Sequence, residues 1–239
     1  MTPRVRLCGR VLGSVLGALD RFNARHPWSH NDRLHGWVLR RLPDGRRAAL
    51  DVGCGSGSLV VRLADRFERV DGVDPDAVSA AWTARRLSAH QGVRVRALPF
   101  ERVLPADGPD GYDAITMVAV LHHLDLVPAL EHARRLLAPD GRLLVVGLAR
   151  PGSVRDVAVD LVSVVLNPLV GLAKHPRAVR PVPGRGHGGF DDDTPPPTVV
   201  RAAELTVADV ARRAERVLAG ARVRRRLFFR YTLEWTAPA

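Results

Sequence analysis

Between residues 48 and 147, short apolar runs alternate with amphipathic stretches, and this alternation predicts the fold. Residues 48–52 form a strand-like run that ends in a glycine-rich turn. Residues 58–66 then have helical spacing, with Leu59, Leu63 and Phe67 on one side. A second strand is predicted over 69–73, ending at Asp74-Pro75-Asp76, then a helix over 77–89 and a strand over 93–97. A loop carrying Pro99, Pro105, Gly108, Pro109 and Gly111 leads to a strand over 112–118. The helix predicted over 127–137 stops at Pro139-Asp140-Gly141, and residues 142–147 form the next strand. Strands that alternate with helices across short turns imply a parallel, doubly wound α/β sheet.

The flanking segments follow other patterns. Residues 1–47 are Arg-rich and helix-like, a cap that stops at Arg40-Arg41-Leu42-Pro43-Asp44-Gly45. Residues 151–200 break the alternation. Their apolar stretch 157–173 contains Asp160, Asn167 and Pro168 and is a little short for a membrane span, so a buried or lid helix is the better reading. The Gly-, Asp- and Pro-rich stretch 181–197 cannot support a core and reads as a mobile loop. Thr206 and Asp209 head a helix running to about Ala219, and Gly220 stops it. Residues 222–229 and 231–235 then read as two strands in a closing hairpin, for seven strands in all, one antiparallel. The whole is one domain: a cap (1–47), a core (48–150), a lid or substrate insert (151–200) and a closing helix and hairpin (201–239).

Composition changes the picture little. The formal charge of +11 suggests a polyanion partner. Lys174 is the single lysine, however, and the arginines are spread through a chain rich in Ala, Gly, Val, Leu and Pro, the bias of a GC-rich coding sequence. The densest cluster, 222–226, falls in a predicted strand, so a nucleic-acid partner is not expected. Two cysteines, Cys8 and Cys54, make no disulfide framework and fit a reducing, cytoplasmic setting. The first twenty residues lack a cleavage site, and no membrane partner is expected. No Cys/His/carboxylate spacing supports a metal site.

The chemistry centres on Asp51-Val52-Gly53-Cys54-Gly55-Ser56-Gly57, where the first strand meets the first helix. Glycines there let the backbone turn sharply and approach a ligand, and the helix start behind them presents free N–H groups. In the dinucleotide pattern G-x-G-x-x-G the third glycine would stand at Ser58; here it comes one residue early, and an acid precedes the loop. Asp74, with Pro75 beside it, ends the second strand about twenty residues on, where a carboxylate can accept both hydroxyls of a ribose.

The acid-led glycine trio resembles motif I of the class I S-adenosylmethionine-dependent methyltransferases. The resemblance implies that Gly53, Cys54 and Gly55 line the methionine end of S-adenosylmethionine and that Asp51 orients its ammonium group. The family often places Asp-Ala before a Leu-Pro-Phe to hold adenine; this chain has Arg96-Ala97 ahead of Leu98-Pro99-Phe100, with Glu101 the nearest acid, so no adenine contact is assigned. Leu121-His122-His123 resembles the Leu-His-His segment of small-molecule methyltransferases. His122 or His123 could remove a proton from a substrate hydroxyl, or could shape the loop. The later Leu-Ala-Pro-Asp-Gly turn departs from the family's Leu-Pro-Gly-Gly at Asp140. The stretch from Trp28 to Trp37 resembles a Trp-x-His-Asn segment of uncharacterised bacterial methyltransferases, and a helix there would place His30 and Asn31 near the methionine end or the substrate.

The expected reaction is direct displacement of the methyl group onto an O or N of a small-molecule acceptor, with alignment and exclusion of water as the protein's main tasks. Two alternatives stay open: an RNA methyltransferase, favoured by the arginine excess but lacking an Asn/Asp-Pro-Pro-aromatic motif after the fourth strand, and a non-catalytic cofactor-binding partner.

Overall fold

The computed structural model describes residues 30–104, 111–174 and 201–239. Seven strands make one sheet: β1 (Ala48–Val52), β2 (Arg69–Asp74), β3 (Val93–Ala97), β4 (Tyr112–Val118), β5 (Leu137–Leu148), β6 (Arg222–Arg225) and β7 (Arg230–Thr236). Their spatial order is β3-β2-β1-β4-β5-β7-β6. β1 to β5 pair in parallel, and β7 runs antiparallel to both β5 and β6. This is the Rossmann-like, mostly parallel sheet with an antiparallel closing strand that the alternation implies. Chain order reverses between β1 and β4, which makes their carboxyl ends the crevice where such folds take ligands.

Among the described residues six helices flank the sheet: α1 (His30–Leu39), α2 (Ser58–Ala64), α3 (Ala77–Arg86), α4 (Leu126–Leu136), α5 (Val154–Lys174) and α6 (Val207–Val217). One apolar layer joins Leu130, Ala133 and Leu136 of α4 and Val210 and Ala214 of α6 to Ile115, Met117, Leu143 and Val145 of the sheet. The opposite layer packs Trp37 and Val38 of α1 and Leu59, Val60 and Leu63 of α2 on Ala49, Ala114, Leu144 and Val146. Both faces are covered, so the central strands are continuously apolar instead of alternating. The helix starts are fixed locally. Asp76 accepts from the N–H groups of Val78 and Ser79 at the head of α3, and Thr206 and Asp209 form a reciprocal capping box on α6.

Three segments differ from expectation. β5 begins at Leu137, because Pro139-Asp140-Gly141 is absorbed into an irregularity in the β4–β5 register between Tyr112 and Ala114. Asp140 adopts φ 59° there, a conformation that Asp tolerates better than most residues. The sixth strand ends at Arg225, since Phe228 and Phe229 both take φ 60° in the turn to β7; two successive left-handed residues suit the twist of a tight hairpin. Burial of the Phe228 ring, and a 2.8 Å bond from its N–H to Ser163 Oγ, offset the strain. Lastly, α5 is longer than the apolar stretch suggests and is not buried: Val154, Val157, Leu161, Val162, Leu169 and Leu172 are exposed. Among the described residues α5 is the one helix long and apolar enough to cross a membrane. Its inner side is tied down by an Asp160–Arg225 ion pair and by Ser163. The loose stretch 181–197 lies outside the described residues.

Candidate active site

The glycine loop leaves β1 in a run of left-handed residues: Gly53, Gly55 and Gly57 have φ of 66°, 48° and 71°. Only glycine takes up such a run without strain. Space decides the rest. A Cβ on Gly53 would stand 2.2 Å from Val120 Cγ2, and one on Gly57 2.6 Å from Thr83 Cγ2. At Gly55 it would meet nothing nearer than the Gly53 carbonyl at 3.9 Å. The loop is therefore packed at its ends and open at its middle.

Several groups clamp it. Asp74 Oδ2 accepts the Gly55 N–H at 2.9 Å, and Asp74 Oδ1 accepts the N–H of Asp76 at 3.0 Å. The Thr83 hydroxyl donates to the Gly55 carbonyl, and Arg86 donates to the Ser56 carbonyl at 2.9 Å. The N–H groups of Gly53 and Cys54 donate to the Val73 carbonyl at 2.7 and 3.1 Å. Asp74 thus carries a loop-fixing duty in addition to the ribose role expected of it. Pro75 is exposed between Asp74 and Asp76. The Cys54 side chain is turned into the sheet: its Sγ lies 3.2 Å from where a Gly72 Cβ would be. Burial, and then the Asp51 and Asp74 charges, push this thiol's pKa upward. Cys54 can line the crevice through its backbone alone.

Asp51 is the electrostatic centre. The residue is 3% exposed, and the one hydrogen bond to its carboxyl among the described residues comes from Thr116 Oγ1 to Oδ1 at 2.6 Å. Burial pushes its pKa up to about 7; the Thr116 bond opposes this and the Asp74 charge adds to it. An acid held so close to neutral pH, with no cation beside it among the described residues, is poised for a positively charged ligand group.

β4 delivers the histidines. Ala119 takes φ 59° directly after the strand and turns the chain so that Val120 lies over Gly53. A short 3-10 turn, Leu121–His123, follows. The two imidazoles tilt against each other with centroids 4.1 Å apart. His122 is half-buried, and its buried Nδ1 has no hydrogen-bond partner among the described residues. Burial first, then the charges of His123, Arg230 and Arg201, lower its pKa to about 4, so the ring is neutral at physiological pH.

The structure therefore brings the glycine loop, Asp51, Asp74 and the histidine pair to the carboxyl edge of β1, β2 and β4. His30 and Asn31 open α1, and their side chains lie outside the described residues. Ala97 pairs with Asp74 across β2 and β3, and Glu101 is exposed on a 3-10 turn. Among the described residues no group of three His, Cys or acidic side chains could hold a metal ion. Sequence reasoning missed Thr116, Thr83 and Val120. Thr116 did carry a signal, as a polar residue inside the apolar run of β4.

The donor set fits S-adenosylmethionine. The loop has its open side at Gly55, and beside it stands a buried acid that has no counter-cation among the described residues. A methyltransferase-domain family model matches residues 50–143. An uncharacterized methyltransferase of Mycobacterium tuberculosis is 31% identical over 214 residues, 89% of this chain and 98% of that protein. Among solved structures, an S-adenosylmethionine-dependent methyltransferase from Aquifex aeolicus shares the fold with a TM-score of 0.53 at 16% identity, covering 85% of this chain and 92% of that one. Magnesium protoporphyrin IX methyltransferase from Synechocystis, solved with bound S-adenosylhomocysteine, gives 0.50 at 19% identity over 87% and 81% of the two chains. An acid-led loop at the reversal point of a seven-stranded sheet, in a chain similar over 89% of its length to a methyltransferase, leaves one conclusion: this protein belongs to the class I S-adenosylmethionine-dependent methyltransferases.

Proposed function

We propose that the enzyme methylates a small-molecule acceptor at oxygen or nitrogen. The observation that carries this reading is the neutral, half-buried His122 imidazole, tilted against His123, at the strand edge that also holds the glycine loop. When bound, the cofactor supplies a methyl group on a sulfonium, already electrophilic. The chain's own residues hold and align the reactants. Backbone groups of Gly53, Cys54 and Gly55 would line the methionine end, Asp51 would face its ammonium, and Asp74, with Pro75 shaping the turn, would accept ribose hydroxyls. His123 and His122 would take the proton from an acceptor hydroxyl; an amine that is already deprotonated would not need them. α1, with His30 and Asn31, and α5 would wall the acceptor and exclude water.

The free, buried Cys54 supports a reducing compartment such as the cytoplasm. The test is transfer of tritiated methyl from S-adenosylmethionine into a small-molecule extract and, separately, into RNA. Label is expected in the small-molecule fraction. Label that enters RNA instead would overturn this reading.

A further inference from the structure

β4 lies at the centre of the sheet, and its residues Tyr112 to Met117 are buried. Thr116 stands in this run with no exposure at all, sharing a strand face with Ala114 and Val118, and its register partners are Asp51 on β1 and Leu144 on β5. Valine would fill the same volume without a hydroxyl to desolvate, so the hydroxyl needs a partner that repays its burial. Two acceptors are in reach. The Leu50 carbonyl is 3.3 Å away, and Asp51 Oδ1 is at 2.6 Å, the separation of a charge-assisted O–H···O⁻ bond. A hydroxyl has one proton, and the shorter, charged contact takes it.

We propose that Thr116 is a positioning residue for the cofactor: by holding Oδ1 of Asp51 it fixes the carboxylate plane so that Oδ2, which takes no hydrogen bond among the described residues, is presented to the cofactor's ammonium group. The proposal rests on the assignment of Asp51 made above. Thr116 touches no ligand itself. It acts by restricting rotation of a carboxylate that has no other side-chain restraint among the described residues.

The consequence is selective for one end of the ligand. S-adenosylhomocysteine carries the amino-acid moiety; 5′-methylthioadenosine has the same nucleoside thioether without it. Binding of both to the full-length protein is measured by calorimetry or by competition. Thr116→Val should weaken S-adenosylhomocysteine about 10–100-fold, the worth of one hydrogen bond to a charged group, and leave 5′-methylthioadenosine within about twofold of the parent. Thr116→Ser, which keeps the hydroxyl, should restore most of the loss, whereas a merely space-filling Thr116 would tolerate Val better than Ser. In an Asp51→Asn background, Thr116→Val should add little. Thr116→Ala serves by the same criteria should the valine variant not fold. Equal weakening of the two ligands, or no weakening of S-adenosylhomocysteine, overturns the proposal. If Asp51→Asn alone removes the preference for the amino-acid-bearing ligand while Thr116→Val keeps it, the Asp51 assignment stands and the Thr116 role falls. If neither variant changes the preference, both fall.

Discussion

Replacement of Asp51 by Asn should raise the stability of the ligand-free protein while it weakens cofactor binding. The carboxyl is buried at the end of β1, accepts one hydroxyl bond and sits in the field of Asp74, so its pKa rises from 3.8 to about 7. A tenfold change in proton affinity is worth about 1.4 kcal/mol, which caps the folding cost of the ionised form at about 4 kcal/mol. An amide keeps the bond from Thr116 but is itself costly to bury, so roughly half of this should survive, about 2 kcal/mol. For a chain of this size that is about 4–8 °C in Tm. The sign follows from linkage. Between the unfolded pKa near 4 and the folded value near 7, the folded state binds more protons than the unfolded state, so wild-type stability falls as pH rises through that window and levels off above it. The asparagine variant lacks this loss, and because the amide's burial cost does not vary with pH, its advantage should be largest at pH 8 and close to nil at pH 5. The other titratable groups that face Asp51 do not reverse the sign: Asp74 opposes ionisation, and Cys54 stays a thiol throughout. Thermal melts of both proteins without ligand, from pH 5 to 8.5, measure it. Equal melting temperatures, or an advantage independent of pH, would refute a buried charge as the cause.

Further outcomes follow from the loop, the histidines and the hairpin. Gly55→Ala should cost about 1 kcal/mol through its positive φ, since space is open there, yet reduce cofactor affinity at least tenfold; Gly53→Ala should be far more destabilising, because its Cβ overlaps Val120. Denaturant melts and S-adenosylhomocysteine titration separate the two effects. His123→Ala should slow turnover more than it weakens cofactor binding; equal losses in kcat and affinity would assign it a structural role. With His122 at about 4, its protonation cannot account for any fall in turnover between pH 6 and 7, and His122→Gln should leave the shape of the pH–rate profile over that range unchanged. Asp160→Ala should lower stability by about 2–3 kcal/mol, because it strands the half-buried Arg225 that ties α5 to β6; a loss below about 0.5 kcal/mol in a chemical melt would show that the ion pair does not hold that helix.

The linear pattern was enough for the order and type of the core elements, since the inner strands are largely buried runs bounded by turns, β3 at the sheet edge alternates valine with arginine, and each amphipathic helix has one apolar side. The acid-led glycine loop was legible because its chemistry is local: three left-handed residues in five positions demand glycine, and Asp51 lies two residues before them. Other features depend on distant partners. The turn at Phe228 and Phe229 looks like strand by propensity, and a bond from the Phe228 N–H to Ser163, some sixty-five residues away, with burial of the Phe228 ring, makes it a bend. The apolar stretch of α5 reads as a buried or lid helix, and among the described residues its Asp160 and Ser163 side meets the sheet edge while Leu161, Val162, Leu169 and Leu172 are exposed. The inward turn of Cys54 and the grip of Thr116 on Asp51 required the parallel pairing of β1 with β2 and β4, which places residues twenty to sixty-five positions apart side by side. Local sequence dictates dihedral preference and apolar period. Which side chain meets which across a sheet is set by strand register, and register belongs to the assembled core.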